Sequence, residues 1–250
     1  MKNLTSAILI LLSILAFHSC EKEKMPVNDP VYTYETDSII DIDGNVYKTV
    51  RIGDQWWMAE NLRVKKYRNG TNIYYNASMT PTEWAGLTTG AYCNLNDSHI
   101  PANGSLYNWY AIVHPGGLAP EGWRIPTDED WKKLERFIGM HADTINLSGW
   151  RGTHEGEKLK SRISEKFSWK LDPNMNHTNQ YGFTAFPGGL RLFNGSFGES
   201  GGSAGFWWSS TEAGNGNAWY RYLDYRVGGV FRYFAPKASG YSIRCVKDVE

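Results

Sequence analysis

The sequence predicts an α+β domain in which two central helices pack on a twisted antiparallel sheet joined by long loops. Three observations carry that expectation. Residues 46–52 and 219–225, near opposite ends of the chain, alternate in polarity, as half-buried strands do. Between them, residues 127–137 form an amphipathic run behind a capping threonine. The composition adds 26 Gly, eleven Trp and 14% aromatics overall, a mixture that favours pleated surfaces and turns.

The first nineteen residues stand apart. Lys2 gives a positive start and residues 4–17 are mostly apolar. That run is too short to span a bilayer, which needs ~20 residues, but it has the size of a signal-peptide core. Ser19 then precedes Cys20, and Leu15-Ala16-Phe17-His18-Ser19-Cys20 has the form of a lipobox. The charged stretch Glu21-Lys22-Glu23-Lys24 follows, with Pro26 and Pro30 beyond it. The expected organisation is a lipoprotein signal over 1–19, a lipidated Cys20 with a polar tether over 20–37, and one domain over 38–250. Acyl chains on Cys20 would hold the protein to a bacterial outer membrane, each buried methylene contributing ~0.8 kcal/mol.

Within the domain, Ile39-Ile40-Asp41-Ile42 runs into Asp43-Gly44, a hairpin signal. Gly53-Asp54 makes a second turn before Gln55-Trp56-Trp57-Met58, so 38–58 reads as an antiparallel meander. Thr80-Pro81-Thr82-Glu83 is a capping box with Pro at the first helical position. Residues 106–113 are apolar and fit a buried strand or a short helix equally. The first central helix runs over 127–137, with Asp128, Glu129 and Asp130 at the positive end of its dipole. The second is placed over 157–166, where Leu159, Ile163 and Phe167 recur every four residues. Beyond Gln180 short strands alternate with loops, and the final strand, 241–247, joins the meander in a sheet formed by both ends.

Charge and motif content narrow the chemistry. The mature chain carries 25 basic against 26 acidic residues, which points away from nucleic acid. Taking Gly44 as the sixth position of a calcium loop puts Ile39 first and Val50 twelfth, where acids are required. His154-Glu155-Gly156-Glu157 lacks the second histidine of a zinc protease motif, and Ser209-Ser210-Thr211 lacks the glycines of a nucleophile elbow. No catalytic, metal or cofactor site is expected. Cys93 and Cys245, the remaining pair in an oxidising compartment, are expected to form a disulfide. Residues 194–205 and 213–218 hold Gly, Ser, Asn and Glu with almost no large apolar side chain except Phe197. Loops on a rigid frame are where binding usually resides, so Asn194, Phe197, Glu199, Asn215 and Asn217 are the expected ligand contacts.

Several stretches together resemble one family. They are Asp41-Ile42-Asp43-Gly44-Asn45-Val46-Tyr47, Trp57-Met58-Ala59-Glu60-Asn61-Leu62, Gly104-Ser105-Leu106-Tyr107-Asn108-Trp109, Gly122-Trp123-Arg124-Ile125-Pro126-Thr127-Asp128, Tyr181-Gly182-Phe183, Trp207-Trp208-Ser209-Ser210-Thr211 and Ser242-Ile243-Arg244-Cys245. In this order, from about 38 to the end, they resemble the Fibrobacter succinogenes major paralogous domain family. That resemblance implies a C-type-lectin-like fold, shared with formylglycine-generating enzymes. The Glu-Pro-Asn and Gln-Pro-Asp triplets of calcium-dependent lectins are absent, so their sugar site does not carry over. The expected function is a non-catalytic, envelope-anchored module that binds a glycan or protein ligand. The alternatives are a structural envelope component and a formylglycine-generating-type enzyme using Cys93 or Cys245.

Overall fold

The computed structural model describes residues 32–95, 104–162, 169–198 and 202–249. The signal peptide, Cys20 and Glu199 lie outside the described residues. Three antiparallel sheets make the frame. The first contains β1 (Thr36–Ile40), β2 (Val46–Ile52), β3 (Gln55–Met58) and β13 (Val246–Asp248), in that order. The second is ordered β6 (Gly149–Arg151), β11 (Val230–Pro236), β10 (Asn217–Asp224) and β9 (Ala204–Gly214). The third is ordered β4 (Tyr92–Cys93), β5 (Leu106–Asn108), β12 (Gly240–Tyr241), β7 (Leu190–Arg191) and β8 (Phe197–Gly198).

The expected α+β class with two central helices is not what forms. The described residues are mostly β, and their four helices, α1 (Pro81–Ala85), α2 (Trp109–Ile112), α3 (Asp128–Phe137) and α4 (Glu155–Leu159), are short apart from α3. Of the second expected helix, 157–166, only Glu157–Leu159 fall in α4, which ends where Lys160 turns extended with ψ 140° and bridges to Ala185; residues 163–166 lie outside the described residues. Residues 106–113 are both readings in succession: β5 runs into α2, where the Asn108 side chain caps by accepting from Ala111 N–H at 3.2 Å.

The meander forms as read, and its turn shows why. The Asp41 carboxylate accepts from the backbone N–H groups of Asp43 and Asn45 at 2.9 and 3.0 Å. It also accepts the Tyr47 hydroxyl at 2.6 Å, while Gly44 takes a φ of 79° that an L side chain resists. The chain end closes this sheet by pairing Val246 with Trp57.

The α3 helix packs on one face of the β6–β11–β10–β9 sheet through buried charges. Arg221 reaches Asp128 at 2.7 Å and Glu135 at 2.5 Å. Arg151 forks onto Glu135 with both contacts at 2.8 Å, and Arg232 holds Asp128 at 2.7 and 2.9 Å. Such a cluster adds little net stability over an apolar core, but it penalises loss of any one member by ~3–5 kcal/mol.

The resemblance motifs meet at Arg244, which is fully buried. Its guanidinium donates to Asn61 Oδ1 at 2.6 Å and to the carbonyls of Met58, Phe183 and Thr184. Asn61 Oδ1 also accepts the Trp207 indole N–H at 2.9 Å. One side chain thus ties the meander, the Tyr181-Gly182-Phe183 segment, β9 and the C-terminal strand together.

The expected disulfide is absent: no bond joins Cys93 to Cys245. Cys93 packs with Met79, Trp84, Ala91 and Leu106, whereas Cys245 belongs to the large cluster containing Tyr47, Leu62 and Tyr107. The two cysteines serve as small apolar fillers of separate clusters.

Candidate functional site

Residues 65–75 build a concave surface beside the first turn of the meander. Asn69-Gly70, with Gly70 at φ 88°, tightens a turn closed by Tyr67 N–H to Thr71 O at 2.8 Å and Ile73 N–H to Lys65 O at 2.9 Å. The chain then runs alongside β4: Tyr74 bridges Ala91, and Tyr92 N–H donates to Tyr74 O at 3.0 Å. Tyr74 and Tyr75 are thereby set next to Tyr92, and the Tyr75 and Tyr92 rings stack at 4.8 Å with 15° between planes. The aromatic column continues inward to Tyr107, 6.0 Å from Tyr92, whose hydroxyl donates to Val64 O at 2.7 Å.

The cleft so formed has a volume of about 640 Å³ and is lined by Asp43, Lys65, Lys66, Asn72, Ile73, Tyr74, Tyr75 and Tyr92. Two neighbouring hollows, one beside Trp56 and Trp123 and one beside Leu118 and Pro120, are smaller, about 250 and 230 Å³. Of these three, the first falls inside the ~300–1,000 Å³ range usual for small-ligand sites. Its floor is the half-buried Tyr75 over Tyr92, and Tyr74, 49% exposed, stands at the side. Its rim is polar. Asp43 Oδ2 accepts the Lys65 backbone N–H at 2.6 Å, and Oδ1 faces Lys66 Nζ at 3.7 Å. Burial, with Tyr75 and Asp43 nearby, pushes the Tyr92 hydroxyl up to about 12, so it remains a neutral phenol at physiological pH. Flat aromatic rings beside amide, ammonium and phenol groups suit a ring that is apolar on its face and polar at its edge. No nucleophile paired with a general base lines this cleft.

The residues expected from sequence lie elsewhere. Asn194 sits in the turn between β7 and β8, where its side-chain oxygen accepts from Ser196 N–H and Oγ at 3.1 and 2.7 Å. Phe197 is half-buried, and the Arg191 guanidinium covers its ring at 4.8 Å. Asn215 has a φ of 50° at the apex of the β9–β10 hairpin, and the Asn217 amide donates to Asn215 O at 3.1 Å. Residues 213–218 are therefore the tip of a hairpin, a two-residue turn at Asn215-Gly216 between the ends of two long strands, and not a loop. Among the described residues no hydrogen bond or ring contact joins Asn194 or Phe197 to Asn215 or Asn217. The residues the sequence reading missed, Asn72, Tyr74, Tyr75 and Tyr92, carry one signal in the chain. Asn69-Gly70 ahead of Ile73-Tyr74-Tyr75 marks a turn that presents aromatics.

Comparison with known proteins adds one match. The model of the Fibrobacter succinogenes major domain matches residues 50–247. No curated protein and no solved structure matches the chain.

Proposed function

The chain belongs to the Fibrobacter succinogenes major domain family, and for this member we propose a non-catalytic glycan-binding module. Acyl chains on Cys20 would hold it at the bacterial envelope, in the outer membrane. The observation that carries the reading is the tyrosine cleft, where a stacked aromatic floor lies beneath a rim of Asp43, Lys66 and Asn72. A pyranose ring presents an apolar CH face for Tyr74 and Tyr75 and hydroxyls for the rim.

The rival enzyme reading needs a reactive thiolate. Cys245 is fully buried, and burial pushes its thiol well above the ordinary value. A thiol in that setting is a weak nucleophile, which supports the non-catalytic reading. A glycan array probed with the purified protein tests the proposal: retention of a glycan without its turnover is expected, and release of a cleaved or modified product would overturn it.

A further inference from the structure

We propose that the cleft selects an acidic glycan, one whose pyranose rings carry carboxylates, as hexuronates do. This rests on the glycan reading of the same cleft. Asp43 is the one carboxylate among the lining residues, and its charge is already met. One oxygen accepts the Lys65 N–H and the other faces the Lys66 ammonium. The Lys65 ammonium is different. It is exposed at the rim, and among the described residues no carboxylate lies within ion-pair distance of it.

The neighbours along the chain sharpen the contrast. Residues 63–68 read Arg-Val-Lys-Lys-Tyr-Arg. Arg63 pairs with Glu60 at 3.2 Å and Arg68 with Glu121 at 3.5 Å. The two arginines that flank the cleft residues are thus answered by acids from the protein, while the cleft keeps an excess positive charge beside an aromatic floor. A hexuronate complements both features at once. Its CH face covers Tyr75, and its carboxylate meets the Lys65 ammonium, with the Asp43-paired Lys66 beside it. Because these ammonium groups face solvent, their pull on the ligand is modest and screened by salt.

The test is calorimetric titration of the full-length protein in detergent micelles with three probes: oligogalacturonate, a neutral β-1,4-glucan oligomer and polyglutamate. Oligogalacturonate is expected to bind about tenfold tighter than the neutral oligomer at low ionic strength, ~1.4 kcal/mol, with the gap closing in 0.5 M salt. Lys65→Gln with Lys66→Gln should remove the preference, and Tyr75→Ala should weaken both sugars while circular dichroism shows the domain still folded at the titration temperature. Equal affinity for the two sugars, untouched by the lysine changes, would overturn the acidic selectivity and leave the glycan reading standing. Binding of neither sugar would overturn both. Binding of polyglutamate as tightly as oligogalacturonate, indifferent to Tyr75→Ala, would show a polyelectrolyte effect and also overturn the proposal.

Discussion

Arg244 and Asn61, 183 residues apart in the chain, meet in a hydrogen bond of 2.6 Å from guanidinium Nε to carboxamide Oδ1. The same oxygen accepts from Trp207, so two buried donors depend on it. Asn61→Leu leaves both unsatisfied, at a cost of about 1–3 kcal/mol per group. Chemical denaturation should show a loss of about 2–6 kcal/mol, whereas substitution of the exposed Lys133 on α3 should change stability by less than about 0.5 kcal/mol.

The Asp128 carboxylate gives the fold an acid sensitivity of defined sign. Burial alone would raise its pKa, but the Arg232 and Arg221 guanidiniums outweigh burial and hold it well below the usual carboxylate range. A folded-state pKa below the unfolded value contributes stability above the unfolded value of ~3.9. That stability is lost as pH falls below it toward the folded value. Wild-type protein should therefore lose stability steeply below pH 4. Asp128→Asn should be less stable at pH 7 by ~3–5 kcal/mol, with a flatter profile in acid. Parallel curves for the two proteins would contradict the assignment.

Much of the frame was legible in the sequence, for physical reasons that differ by element. The meander rests on local signals, an Asx turn at Asp41 and glycines at 44 and 53. The α3 helix rests on a capping box, which the structure shows as Thr127 Oγ1 accepting from Asp130 N–H at 3.1 Å. The second helix is placed on four-residue apolar spacing, a pattern blind to the extended Lys160 that bridges Ala185 and ends α4 at Leu159. Residues 213–218 read as loop because Asn215-Gly216 is polar, although that pair is a two-residue hairpin turn between strands of eleven and eight residues. The cleft was illegible because Asp43, Tyr74 and Tyr92 come together only through strand pairing. The Cys93–Cys245 bond was inferred from an even count, and counting carries no distance.

Cys245 should behave as a buried core thiol. Iodoacetamide should leave it unmodified in the folded protein and alkylate it in guanidinium. Peptide mapping without reduction should recover no Cys93–Cys245 linkage, and a linked peptide would contradict the packing of the two residues in separate clusters.

Lipidation at Cys20 is checked in cells by metabolic labelling with an alkynyl fatty acid. Wild-type protein should be labelled and fractionate with membranes, and Cys20→Ala should be unlabelled and unprocessed or released. Persisting label on the variant would place the anchor elsewhere.

The most direct test of the glycan reading compares two sets of substitutions against one array-selected glycan. Tyr74→Ala with Tyr75→Ala is expected to lower affinity by more than tenfold, ~1.4 kcal/mol, with the domain still folded at the assay temperature by circular dichroism. Phe197→Ala with Asn215→Ala, at the positions expected from sequence, should leave affinity within twofold. Intact binding in the tyrosine variant, with loss in the Phe197 and Asn215 variant, would contradict the cleft and return the site to the Gly-rich segments.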